Sequence, residues 1–216
     1  MAMTKSEQMA FMVESGVTAV IRAKDSSQLV KVAEAIEAGG VVSIEVTMTT
    51  PNALAVISEV AKKMGDRVLI GVGSVLDPET ARAAILAGAE FVVAPTLNMD
   101  TIRLCRRYSK VVIPGAFTPT EILTAWEAGA DFVKVFPATA LGPGYIKDIK
   151  APLPQVELVP TGGVTAENTG DFIQAGAAMV AAGSSLVDKA ALAAGKFDAI
   201  TETAKKFIAA VQKARG

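Results

Sequence analysis

Histidine is absent from this 216-residue chain, cysteine occurs once, aromatic residues make up only 5%, and 21 basic against 22 acidic residues leave a net charge of −1. Each shortage excludes something. Without histidine the commonest zinc ligand and the commonest general base are missing, so metal hydrolases and serine triads lose their usual parts. Neither a metal nor an organic cofactor is expected, and acid–base work falls to lysine and carboxylates. The single Cys105 allows no internal disulfide and reads as a core thiol. A balanced charge with no stretch of one sign gives nucleic acid and anionic lipid little to hold. Every apolar run is cut by Gly, Pro or a charge within about a dozen residues, too short to span a bilayer. The segment Thr4-Lys5-Ser6-Glu7 lacks the apolar core of a signal peptide. The expected partner is a small molecule and the expected location the cytoplasm.

What is present is a dense hydrophobic fraction of 51%, enough for one sizeable core and one domain over residues 1–216. Eight β-branched runs recur: Val17 to Arg22, Val42 to Thr47, Val68 to Val72, Phe91 to Ala94, Val111 to Pro114, Phe132 to Phe136, Val156 to Pro160 and Met179 to Ala182. Helical patterns lie between them, including Leu29 to Ala38, Ala53 to Met64, Thr80 to Ala87, Thr101 to Tyr108, Glu121 to Ala128 and Ala166 to Ala175. Thr50-Pro51, Asp77-Pro78 and Thr118-Pro119 each read as a capping side chain before a proline in the first helical position. Ala87-Gly88-Ala89, Ala128-Gly129-Ala130 and Ala175-Gly176-Ala177 repeat one helix-to-strand joint. Eight β-α units predict an α/β fold of the (β/α)₈ barrel type, with an extra N-terminal helix over Thr4 to Glu14 and a C-terminal amphipathic helix over Phe197 to Ala214. A doubly wound open sheet is the alternative, but no Gly-x-Gly-x-x-Gly follows the first strand.

Strands of such a sheet are buried on both faces, so a charge inside one is costly unless paired, neutralised or functional. Glu90, Asp131 and Glu157 fall at strand beginnings and read as structural. Arg22, Glu45 and Lys134 fall mid-strand or at the carboxyl ends, the catalytic end of a barrel. Of the 14 lysines only Lys134 is enclosed by apolar strand residues on both sides; the others read as solvated. Burial disfavours its charged form and leaves a free amine able to attack a ketone. A buried Lys134–Glu45 ion pair is the structural alternative. Thr161-Gly162-Gly163-Val164 and Ala182-Gly183-Ser184-Ser185 follow strands seven and eight, where barrel enzymes bind phosphate, and Gly71-Val72-Gly73-Ser74 adds a third permissive turn.

With these residues in place the chain resembles the 2-keto-3-deoxy-6-phosphogluconate / 4-hydroxy-2-oxoglutarate aldolases, class I lyases on a barrel. The likeness is carried by Ile44-Glu45-Val46-Thr47, Gly71-Val72-Gly73-Ser74-Val75, Ala94-Pro95, Ile113-Pro114-Gly115, Val133-Lys134-Val135-Phe136-Pro137-Ala138, Val159-Pro160-Thr161-Gly162-Gly163-Val164 and Gly183-Ser184. It implies Lys134 as imine-forming lysine and Glu45 as proton shuttle. Arg22, Thr47, Ser74, Pro95, Phe136, Thr161, Gly162, Gly163, Gly183 and Ser184 are implied around the substrate, a 2-keto acid carrying a phosphate. It also implies a homotrimer. Many members have an arginine where this chain has Thr49, and Arg22 is expected to take over its contact with the substrate carboxylate. Two other functions remain open: a phosphosugar isomerase or epimerase with Glu45 as base, and a phosphometabolite-binding barrel without catalysis.

Overall fold

A computed structural model describes residues 3–22 and 28–216. Strands and helices alternate as α1 (Lys5–Ser15), β1 (Val17–Ile21), α2 (Leu29–Ala38), β2 (Ser43–Thr47), α3 (Ala53–Met64), β3 (Leu69–Gly73), α4 (Pro78–Leu86), β4 (Phe91–Val93), α5 (Met99–Arg107) and β5 (Val111–Ile113). Then come β6 (Gly115–Ala116), α6 (Pro119–Glu127), β7 (Val133–Val135), α7 (Gly142–Lys150), β8 (Leu158–Pro160), α8 (Ala166–Gln174), β9 (Val180–Ala182), α9 (Lys189–Ala193) and α10 (Phe197–Arg215).

All strand pairs are parallel, as helical crossovers require. They form a curled six-stranded sheet in the order β5-β4-β3-β2-β1-β9 and a three-stranded one in the order β6-β7-β8. One continuous sheet was the expectation. The run 111–116 is instead split at Pro114, which has no N–H to donate to a ladder. Backbone hydrogen bonds still cross both seams: Asp131 N–H donates to Val112 O of β5 at 3.2 Å, and Ala178 N–H to Leu158 O at 3.0 Å beside a bridge between Thr161 and Ala181.

Period-two alternation divides the buried residues into two cores. Ile44, Val46, Ile70, Val72, Val133 and Val135 point outward and pack under the surrounding helices. Leu69, Phe91, Val93, Val111, Ile113, Phe132, Val159, Met179 and Ala181 point to the concave side, where Met12 of α1 joins them. Helix α1 thus covers the amino end of the sheet. Phe91 and Phe132, fully buried there, each contribute roughly 1.5–3 kcal/mol of burial energy.

Local signals explain most boundaries. Asp77 accepts the Thr80 N–H at 2.6 Å with Pro78 opening α4, and Thr118 and Glu121 form the capping box of α6. Gly88, Gly129 and Gly176 turn the three repeated joints at φ 112°, 90° and 101°, a conformation costly for residues with a Cβ. One expectation fails. Pro51 does not open a helix: Asn52 at φ 54° intervenes, and α3 begins at Ala53. The helix α7 has no counterpart in the sequence reading, because Gly142-Pro143-Gly144 at its start looks like a turn.

Candidate active site

The period that sends Val46 and Val135 outward sends their strand neighbours Glu45 and Lys134 inward, above the apolar floor of Val93, Ile113 and Val159. Glu45 sits at mid-β2 opposite Val20 of β1 and Gly71 of β3, and Lys134 at mid-β7 between Gly115 and Val159. Glycine makes the room. A Cβ on Gly73 would overlap Oε1 of Glu45, so the missing side chain is where this carboxylate lies.

Glu45 and Lys134 meet Arg22, Ser74, Pro95, Phe136, Thr161, Gly162, Gly163, Gly183 and Ser184 around one cavity of about 460 Å³. Thr47 does not join them. It is buried, its hydroxyl lies 2.8 Å from that of Thr49 and 3.5 Å from that of Thr50, and it braces the turn after β2 rather than lining the cavity. Thr49 is exposed and also outside the lining, whereas Arg22 lines it and acts electrostatically on both Glu45 and Lys134. Ser74 holds a left-handed φ of 59°, a strained conformation for a residue with a Cβ.

Lys134 and Glu45 are buried without forming an ion pair. Lys134 is 6% exposed and Glu45 1%, yet no contact within 4.0 Å joins their charges among the described residues. Oε2 of Glu45 has no hydrogen-bond partner. Burial pushes the Glu45 carboxyl above its ordinary value, opposed by the positive charges of Lys134 and Arg22. Burial pulls the Lys134 ammonium down, opposed by Glu45 and assisted by Arg22. Its Nζ stands 4.7 Å from the Phe136 ring centroid, which favours whatever positive charge remains. The arrangement sets an amine whose neutral form burial favours beside a carboxyl group whose protonated form burial favours.

The loops after β8 and β9 form the other wall. Gly162 and Gly163 adopt φ of 92° and 71°, and a Cβ on Gly163 would lie 2.8 Å from Cα of Thr139. Asn168 Nδ2 donates to Gly163 O at 2.9 Å and Ser185 Oγ to Val164 O at 2.6 Å, tying both loops to the start of α8. Free backbone N–H groups at a helix N-terminus suit an anion. Among the described residues no group of three or more Cys, Asp or Glu side chains is placed to hold a metal ion.

Sequence reasoning missed Val20, Val164, Thr165, Ala181, Ser185, Val187 and Lys189 in the lining. Val20 and Ala181 stand two residues before Arg22 and Gly183 and share their inward direction, so the strand period could have found them. Lys189 is exposed at the first position of α9 and carries no such signal.

The family model described as "Aldolase: KDPG and KHG aldolase" matches residues 9–203. A 2-dehydro-3-deoxy-6-phosphogalactonate aldolase of Escherichia coli K12 is 40% identical over 145 residues, 67% of this chain and 71% of that protein. The KHG/KDPG aldolase of the same strain is 33% identical over 193 residues, covering 89% and 90%. A crystal structure of KDPG aldolase from Legionella pneumophila, with pyruvate captured as a covalent carbinolamine intermediate, superposes with a TM-score of 0.86 at 30% identity over 93% of this chain and 98% of that one.

Proposed function

The chain belongs to the KDPG and KHG aldolase family, and from that premise we propose that it is a class I aldolase cleaving a 2-keto-3-deoxy-6-phospho sugar acid to pyruvate and glyceraldehyde 3-phosphate. A second substrate is 4-hydroxy-2-oxoglutarate, which yields pyruvate and glyoxylate. The observation that carries the reading is the pair of buried, unbonded groups, Lys134 and Glu45, facing one cavity.

The neutral amine of Lys134 attacks the C2 carbonyl to give a carbinolamine. Glu45 donates a proton to the departing hydroxyl, water leaves, and a protonated imine remains as electron sink. Glu45, now a carboxylate, takes the proton of the C4 hydroxyl. The C3–C4 bond breaks, its electrons pass into the imine, and the aldehyde departs from an enamine on Lys134. Glu45 returns its proton to C3, and one water hydrolyses the imine, freeing pyruvate, restoring the amine and giving a proton back to Glu45. Arg22 and Ser74 hold the keto-acid carboxylate, Pro95, Phe136 and Thr161 shape its pocket, and Gly162, Gly163, Gly183 and Ser184 receive the phosphate. Thr47 acts through the turn it braces.

The same reading takes the curled sheets as one closed (β/α)₈ barrel forming a single domain, supported by the hydrogen bonds across both seams. By analogy with the family it works as a homotrimer, in the cytoplasm. No described helix is long and apolar enough to cross a membrane.

Pyruvate and sodium borohydride test the mechanism. A reduced adduct located on Lys134 by mass spectrometry, with loss of pyruvate-releasing activity, is the expected result. An isomerase or a binding barrel would give no adduct and keep its function in Lys134→Met.

A further inference from the structure

One cation in the cavity lining is used neither by the imine chemistry nor by the keto-acid contact. Lys189 opens α9 and shares the lining with Gly162, Gly163, Thr165 and Ser184. The preceding carboxylate, Asp188, accepts the Ala191 N–H at 2.7 Å, which fixes the start of the helix and so the place from which Lys189 projects. Lys189 itself makes no hydrogen bond or ion pair among the described residues. Helix stability does not account for it, because an ammonium in the first turn opposes the helix dipole.

The charges in the cavity give it a purpose. A phosphorylated keto acid brings roughly three negative charges, one on its carboxylate and nearly two on its phosphate. Of the lining cations, Lys134 is taken up by the imine, and Arg22 is within electrostatic reach of Glu45 and Lys134, at the reacting end. The glycine loops, Ser184 and the start of α8 offer only partial charges. Among the described residues Lys189 is the remaining full positive charge in the lining. A flexible ammonium suits a phosphate at the cavity mouth, because it acts as a point charge and needs no fixed fork of hydrogen bonds.

The geometry points to Lys189 as a specificity-determining residue: its ammonium pairs with the substrate's terminal phosphate and sets the preference for the phosphorylated over the unphosphorylated 2-keto-3-deoxy acid. This rests on the aldolase reading. The residue is exposed, so the pairing is screened by salt and its effect is moderate.

Pyruvate release from the two forms of one acid is measured for the wild type, Lys189→Met, Lys189→Arg and, as control, Lys205→Met on α10. At low ionic strength Lys189→Met lowers the ratio of kcat/KM for phosphorylated over unphosphorylated acid about five- to tenfold, mainly through KM, and the difference narrows as salt is added. Lys189→Arg recovers most of the ratio, and Lys205→Met leaves it unchanged. Titration calorimetry with inorganic phosphate shows weaker binding to Lys189→Met. An unchanged ratio, equal loss on both acids, or a wild type that does not distinguish them overturns the role of Lys189. Trapping with pyruvate and borohydride separates the two readings, since pyruvate has no phosphate: a wild type that forms no adduct sinks the aldolase reading as well, whereas a trapped enzyme with an unchanged ratio sinks only Lys189.

Discussion

The two ends of the curled sheet are made of the same strands and the same inward-facing alternation, yet they treat charge in opposite ways. At the amino end Phe91, Phe132, Met179 and Met12 fill the concave side. Around them Lys110 meets Glu90 at 2.6 Å, Lys5 meets Asp131 at 2.8 Å, and Gln8 Nε2 donates to Glu90 at 2.6 Å. At the carboxyl end Arg22, Glu45 and Lys134 share a cavity with no ion pair among them, and a carboxylate oxygen is left without a partner. Paired charge on an apolar filling gives stability. Unpaired charge in a cavity lowers stability and leaves groups free to act on a substrate.

The largest effect comes from taking away the amine. Lys134→Met should reduce pyruvate release by about 10⁴-fold or more, as removal of a covalent nucleophile does elsewhere. The fold should gain stability, since burial, and after it the charge of Arg22, lowers Lys134's proton affinity in spite of Glu45. A lysine whose folded value is depressed costs the fold most below that value and nothing above its unfolded one. The thermal advantage of the variant should therefore shrink as pH rises toward 10.5, the ordinary lysine value. A destabilised variant would break the contrast between the two ends.

Next comes Glu45→Gln, expected to cost about 10²- to 10⁴-fold in kcat. Its negative charge holds the proton on Lys134, so the acidic limb of the kcat/KM profile should move to lower pH. Arg22→Gln removes a repulsion and should move that limb upward while raising KM for the keto acid. Limbs moving the other way would show that the pair is not coupled as described. At the opposite end Phe132→Ala should cost about 3–5 kcal/mol in denaturant unfolding, whereas an active-site substitution of the kind above should not.

Gly73→Ala sharpens the comparison, because the added methyl meets the Glu45 carboxylate rather than the floor. It should destabilise by about 1–3 kcal/mol and lower kcat more than it raises KM. The smallest change is Lys5→Met, which breaks the ion pair with Asp131, whose side chains are 24% and 13% exposed; it should cost at most about 1 kcal/mol and leave catalysis intact.

How far these features could be read in advance depended on whether their cause was local. The bounds of α2 and α3 follow from apolar spacing, and the starts of α4 and α6 from Asp77-Pro78 and the Thr118–Glu121 box. Lys134 and Glu45 were visible because a charge inside a β-branched run contradicts its surroundings. Thr47 shows the reverse: it follows the same period as Glu45, but hydroxyl partners in the next turn draw it away from the cavity.

By itself the sequence determined the repeated strand–helix unit, the direction of each strand side chain and the presence of one lysine in apolar company, since periodicity and capping act within a few residues of chain. Only the tertiary structure decided that Pro114 would divide the sheet, that Gly73 would leave room for a carboxylate from β2, and that Lys189 would line the same cavity as the loops after β8 and β9. Those outcomes depend on which segments distant in the chain come to lie side by side, and a local pattern holds no record of its neighbour.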